Sequence, residues 1–225
     1  MPDPKPKPTI YQFSLGDEVG RSLLRSGSIF TFNVYQRILL KLRKLAIVQE
    51  AWNNQEALDL LGQDKTPRAI IISDAGIIDS DNSNVSEKVV EYARNGGTVI
   101  LGVEFPGNTN ATVLDEYMTK VWGLPWTTHS YNYLDCVINT AASGPAKNTP
   151  NDRQWMNGLQ ALYTEKCVYI DNVAPDACWY RPTADPYYLH EYENEEKWRA
   201  AAAKMTQTPV AFAPVGKGYL GYVGE

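Results

Sequence analysis

The chain has 225 residues, of which 44% are hydrophobic and 21% charged, with a net charge of -5, enough material to bury one full core. The acidic balance and the pI near 5.2 argue against a nucleic-acid surface, which needs clustered Lys and Arg, and no apolar run approaches the length of a membrane span. Cys136, Cys167 and Cys178 form an odd set without a C-x-x-C pair, which fits a reducing compartment better than a disulfide framework and makes the cytoplasm the expected location.

The first eight residues alternate proline with polar residues, so residues 1–8 are expected to form an extended tail and residues 9–225 a single domain. Ile10-Tyr11-Gln12-Phe13 has the composition of a first strand, and the Gly- and Ser-rich residues 16–28 read as loop. Asn33 is placed to cap a helix, because Val34, Ile38, Leu42 and Leu45 recur at helical spacing after it. Residues 46–51 are expected to form a strand and residues 54–61 a short helix ended by Gly62.

Residues 68–107 carry the clearest pattern. Ala69-Ile70-Ile71-Ile72 is a continuous apolar run of the kind buried on both faces of a parallel sheet. A helix over residues 86–95 follows, with Val89, Val90 and Ala93 on one side and Glu87, Lys88, Glu91 and Arg94 on the other. Gly96-Gly97 stops it, and Thr98-Val99-Ile100-Leu101 forms the next strand. The unit is strand, helix, parallel strand.

Residues 108–121 are expected to be helical through Val113, Tyr117 and Val121. Beyond residue 127 the alternation weakens. Strands are expected over residues 133–138, 167–170 and 177–180, a loop over residues 139–150, and helices over residues 155–163 and 193–205. Two last strands, over residues 209–215 and 219–223, flank Gly216-Lys217-Gly218 as a hairpin. The run Gly216-Lys217-Gly218-Tyr219-Leu220-Gly221 matches G-x-G-x-x-G by letter, but no helix follows to present its N-terminus to a pyrophosphate. Asn84-Val85-Ser86 and Asn110-Ala111-Thr112 match the glycosylation pattern by chance in this context.

Ile70 followed by Ser73-Asp74, the run from Val90 through Gly96-Gly97-Thr98-Val99, and the segment from Gly218 to Gly224 together resemble the class I glutamine amidotransferase-like superfamily. That superfamily includes ThuA-like proteins and the trimerisation domain of some β-galactosidases. Trp122 to Trp126 and the final segment resemble a family of fungal proteins within it. The resemblance implies a three-layer flavodoxin-like α/β fold with a largely parallel sheet. An irregular α+β elaboration and the hairpin complete the expected architecture.

In active amidotransferases the strand matching residues 98–101 leads into a Gly-x-Cys-x-Gly elbow, whose cysteine is activated by a later His-x-Glu. This chain reads Gly102-Val103-Glu104-Phe105-Pro106, and His190-Glu191-Tyr192 does not reproduce the pair, so glutaminase chemistry is not expected. Glu104, at the position of the cysteine, is the first candidate site residue: a carboxylate at a strand end is either an acid/base group or a structural cap. Asp74 points to the same rim and suits a turn through Ala75-Gly76. His129 and Tyr131 are candidates to line a pocket, His129 as a proton carrier.

No metal and no cofactor is expected, since no Cys or His pair has ligand spacing. Three functions follow as expectations: a domain that binds a small-molecule ligand or protein partner at the carboxyl rim of the strands; a hydrolase, isomerase or lyase using Glu104; or a structural subunit whose aromatic second half drives homo-oligomerisation.

Overall fold

Alternation of apolar runs with amphipathic helices sets the first half of the molecule, seen in a computed structural model that describes residues 6–16, 29–144, 156–183 and 206–225. Strand β1 (Thr9–Phe13) is followed by helix α1 (Ile29–Leu45), β2 (Ile47–Ala51), α2 (Asn54–Leu61), β3 (Ala69–Ile72), α3 (Ser83–Arg94) and β4 (Thr98–Leu101). Next come α4 (Ala111–Glu116), which continues as a π-helical turn over Tyr117–Trp122, and strands β5 (Thr127–Ile138), β6 (Leu162–Asp171), β7 (Tyr180–Pro182), β8 (Val210–Val215) and β9 (Gly218–Val223).

The six-stranded sheet has the order β2-β1-β3-β4-β9-β8, with β1 parallel to β2 and β3, and β3 parallel to β4. The order 2-1-3-4 is that of flavodoxin-like doubly wound folds, and its switch point lies between β1 and β3. A second sheet, β6-β5-β7, is antiparallel. The fold class is therefore the expected one.

The chain divides into two compact units, one of Met1–Asn108 with Val215–Leu220 and one of Thr109–Pro214 with Gly221–Glu225. In the first, α3 buries Val85, Val89, Val90 and Ala93, and each buried valine contributes about 2 kcal/mol. Asn95 caps the helix and Gly96 follows at φ 116°, so the Gly-Gly pair ends it as its sequence implies. Gly97 lies beneath the Tyr92 ring, where a Cβ would meet Cζ at 2.2 Å. Gly218 has a similar constraint: a Cβ there would lie 2.0 Å from the Gly97 carbonyl oxygen. The G-x-G-x-x-G run is thus a hairpin whose second glycine permits close backbone approach.

Several boundaries differ from those read in the sequence. Helix α1 starts at Ile29, so Asn33 lies within it and does not cap it. Helix α3 begins at Ser83, three residues before the amphipathic pattern becomes clear, because two 3-10 turns deliver the chain into it. Residues 162–171 form a strand where a helix was expected up to residue 163, since Leu162 and Tyr163 pair with Val137 and Cys136 along β5. The expected helix over residues 193–205 and the His190-Glu191-Tyr192 segment lie outside the described residues.

In the second unit, Leu134, Cys136, Cys167, Tyr169, Tyr180 and Val210 form a core between the antiparallel sheet and β8. Burial pushes the Cys136 thiol up from 9.0 to about 11 and the Cys167 thiol up from 9.0 to about 12, against the opposing hydrogen bond of the Tyr169 hydroxyl. The unfolded thiols ionise first as pH rises, so the unfolded state then binds fewer protons and stability falls. Stability is accordingly expected to be flat below the ordinary thiol value and to decline from there toward the raised values. Melting temperatures measured across that window are expected to fall less steeply in a Cys136→Ala, Cys167→Ala variant than in the wild type. Parallel pH profiles would show that the thiols do not carry the effect.

Candidate functional site

The carboxyl ends of β1 and β3 meet at the switch point of the sheet, where doubly wound folds place ligands. Here the position is filled by a side chain of the protein itself. Asp74, 7% exposed, accepts from the Ser14 hydroxyl at 2.8 Å and from the backbone N–H groups of Leu15 and Gly16, each at 3.0 Å. It also accepts from the Gly76 N–H at 2.9 Å, which caps the 3-10 turn Ala75–Ile78.

Neighbouring groups complete this cluster. Ser73 donates its hydroxyl to the Phe13 carbonyl at 2.8 Å, and Asn82 donates to the Gly76 carbonyl at 2.8 Å. A Cβ at Gly76 would lie 2.2 Å from the Gly16 nitrogen, so only glycine lets the two loops approach. Asp74 is therefore the turn cap its sequence context suggests, extended to a second loop that short-range patterns do not show. Ser14, Ser73 and Asn82 were not candidates from the sequence; the one signal was their position directly after apolar strands or before an amphipathic helix.

Glu104 lies on the same rim. Its backbone N–H donates to the Ser73 carbonyl at 2.9 Å, and the Gly102 N–H to the Ile72 carbonyl at 3.1 Å, so the elbow after β4 is tied to the end of β3. The half-buried Glu104 carboxylate accepts from the Asn108 side-chain amide at 3.2 Å. The residue with strained backbone is its predecessor, Val103, at φ 69°. A β-branched side chain in the left-handed region is disfavoured. Nucleophile elbows hold their nucleophile in such a strained turn; the side chain at this turn is an unreactive isopropyl group.

His129 and Tyr131 belong to the second unit. The register of β5 against β6 slips between Thr128 and Ser130, leaving His129 as the extra residue of a bulge, a device that re-aims a side chain. Its Nδ1 meets Asp171 Oδ2 at 2.5 Å, and Asp171 Oδ1 accepts from the Thr206 hydroxyl at 2.9 Å. Tyr131 is 64% exposed and its ring lies 5.0 Å from the Lys166 ammonium. Thus Asp74 and Glu104 share one rim in the first unit, while His129 and Tyr131 sit on β5 in the second. Among the described residues no group of three or more His, Cys, Asp or Glu is arranged to hold a metal ion, and no helix is long and apolar enough to cross a membrane.

This arrangement defines a flavodoxin-like α/β protein. Among solved structures, the chain is similar to a ThuA-like protein from Bacteroides uniformis ATCC 8492, with a TM-score of 0.53 and 9% identity over 99% of this chain and 84% of that one. It is also similar to a β-galactosidase from Bacillus circulans sp. alkalophilus, with a TM-score of 0.52 and 12% identity over 97% of this chain. The chain spans 28% of the length of that β-galactosidase. At such identities the likeness is one of fold. No family model and no curated protein matches the sequence.

Two substitutions test the geometry of the rim. Asp74→Ala leaves one hydroxyl and three backbone N–H groups without their acceptor and is expected to destabilise the protein by about 3 kcal/mol or more, read from chemical denaturation. Val103→Gly relieves the left-handed backbone and is expected to stabilise by about 1 kcal/mol. A lower denaturation midpoint for Val103→Gly would show that packing of the valine outweighs its strain.

Proposed function

We propose that this chain is an amidotransferase-like domain without glutaminase chemistry, which binds a small molecule or a partner chain at the carboxyl rim of its parallel sheet. The observation that carries the reading is the elbow after β4, where the strained residue is Val103 and the position matching the cysteine holds Glu104, so neither supplies a thiol nucleophile. The fold shared with a ThuA-like protein supports placement in the amidotransferase-like superfamily. In this reading Glu104 contacts the ligand, because its carboxylate has one side-chain donor in Asn108 and retains lone pairs for another. A group that donates hydrogen bonds, such as a hydroxyl, amide or amine, suits it.

A second reading, acid/base catalysis on a small metabolite, is favoured by His129. Asp171 holds its Nδ1, which leaves Nε2 to exchange a proton with a substrate. Here Tyr131, on the same strand as His129, assists, while the carboxylate of Asp74 is taken up by its four bonds.

Incubation with glutamine is expected to release no ammonia above the protein-free control. In a thermal-shift screen of metabolites, a compound that raises the melting temperature of the wild type is expected to lose that effect with Glu104→Gln, whose own melting temperature stays near wild type. Glutamine-dependent ammonia release would overturn the binding-domain reading. Turnover of a screened compound that disappears in His129→Gln would replace it with the acid/base reading.

A further inference from the structure

The other end of the parallel sheet carries a groove of about 490 Å³, formed where the chain enters β3 and β4. This volume lies within the range of small-molecule sites. Leu60 and Leu61, at the end of α2, give it an apolar wall, and the Tyr92 ring lies across Gly97 beside them. The hydroxyls of both tyrosines in the groove are fixed: Tyr11 donates to the Lys65 carbonyl at 3.1 Å and Tyr92 to the Pro67 carbonyl at 3.0 Å. Both rings are therefore held in place before any ligand arrives.

Charge decides what such a groove accepts. Lys65, Arg68 and Lys88 line it together with a single carboxylate, Glu91. None of the three cations makes an ion pair with a described residue, and Arg68 lies close enough to favour ionisation of the Tyr92 hydroxyl against the larger, opposing effect of burial. Opposing them are the carboxyl ends of α2 and α3, which also lie at the groove and each carry roughly half a negative charge. Three full cations exceed one carboxylate and two helix ends, and the helix ends are partly met by their own caps at Gly62 and Asn95. The balance is positive.

We propose that this groove binds a small organic anion, an aromatic or other planar body carrying a carboxylate or phosphate, with the ring against Tyr92 and Leu61 and the anionic group between Arg68 and Lys88. Such a site lies at the end of the sheet opposite Glu104 and does not depend on the rim.

The test is an amide-resolved NMR titration of the whole chain with phenyl phosphate, benzoate and phenethylammonium. Phenyl phosphate or benzoate is expected to shift the amides of Arg68, Gly96 and Gly97 to saturation, and which of the two binds more tightly identifies the anionic group. Arg68→Gln with Lys88→Gln, both exposed positions, is expected to weaken binding by about tenfold or more, whereas Lys41→Gln, on the exposed side of α1, leaves it unchanged. The proposal is overturned if neither anion saturates, if the double variant binds as the wild type does, or if phenethylammonium binds in preference, which would mean that the helix ends and Glu91 govern the groove.

Discussion

One carboxylate organises the first unit. Asp74 gathers a hydroxyl and three backbone N–H groups from two loops that are about 60 residues apart in sequence. In a doubly wound sheet the strands on either side of the switch point diverge, and the crevice between their loops is the usual place for a ligand. Here the fixed charge of the protein occupies it. Gly76 permits the contact by lacking a Cβ, and Asn82 and Ser73 add side-chain hydrogen bonds to the Gly76 and Phe13 carbonyls. Converging N–H groups of this kind form a nest suited to an anion. Asp74 already fills it, so the switch point is closed by the protein's own hydrogen bonds.

The next strand end along the sheet leads into the elbow after β4. Its backbone is pinned to β3 through Gly102 and Glu104, so the turn has a fixed place from which to present a side chain. Strain at a single residue persists only when its surroundings over-determine the backbone, and the two hydrogen bonds to β3 do so for Val103. The elbow thus keeps its shape with a side chain that has no chemistry to offer. Glu104, one residue on, lies on the same rim and accepts from the Asn108 side-chain amide.

The fold was largely legible because its parallel strands are continuous apolar runs and its helices have one apolar side. Ala69 to Ile72, Thr98 to Leu101 and the stripe of Val89, Val90 and Ala93 each state their role locally. What remained hidden depended on distance. Nothing near Asp74 in sequence announces that Ser14 and Leu15 will donate to it, since that contact requires β1 and β3 to be neighbours first. The strand over residues 162–171 was mistaken in its first residues for helix because pairing with β5, a tertiary effect, overrides a weak local pattern. Letter spacing singles out Glu104 at the elbow, whereas the left-handed backbone falls on Val103, a property of the torsion that no residue pattern announces. The groove at the opposite end was invisible because Tyr11, Arg68 and Tyr92 come from three separate elements.

The position of β9 beside β4 has a consequence for how the chain is made. β4 is complete at Leu101, yet its partner on that side begins only at Gly218. At ordinary rates of synthesis the intervening residues take on the order of ten seconds to emerge. Throughout that interval Thr98-Val99-Ile100-Leu101 is an apolar strand with one open edge, the feature that invites pairing with another chain. The nascent protein therefore passes through a stage at which a strand that ends up inside the sheet has an open edge, and the closing hairpin is what covers it.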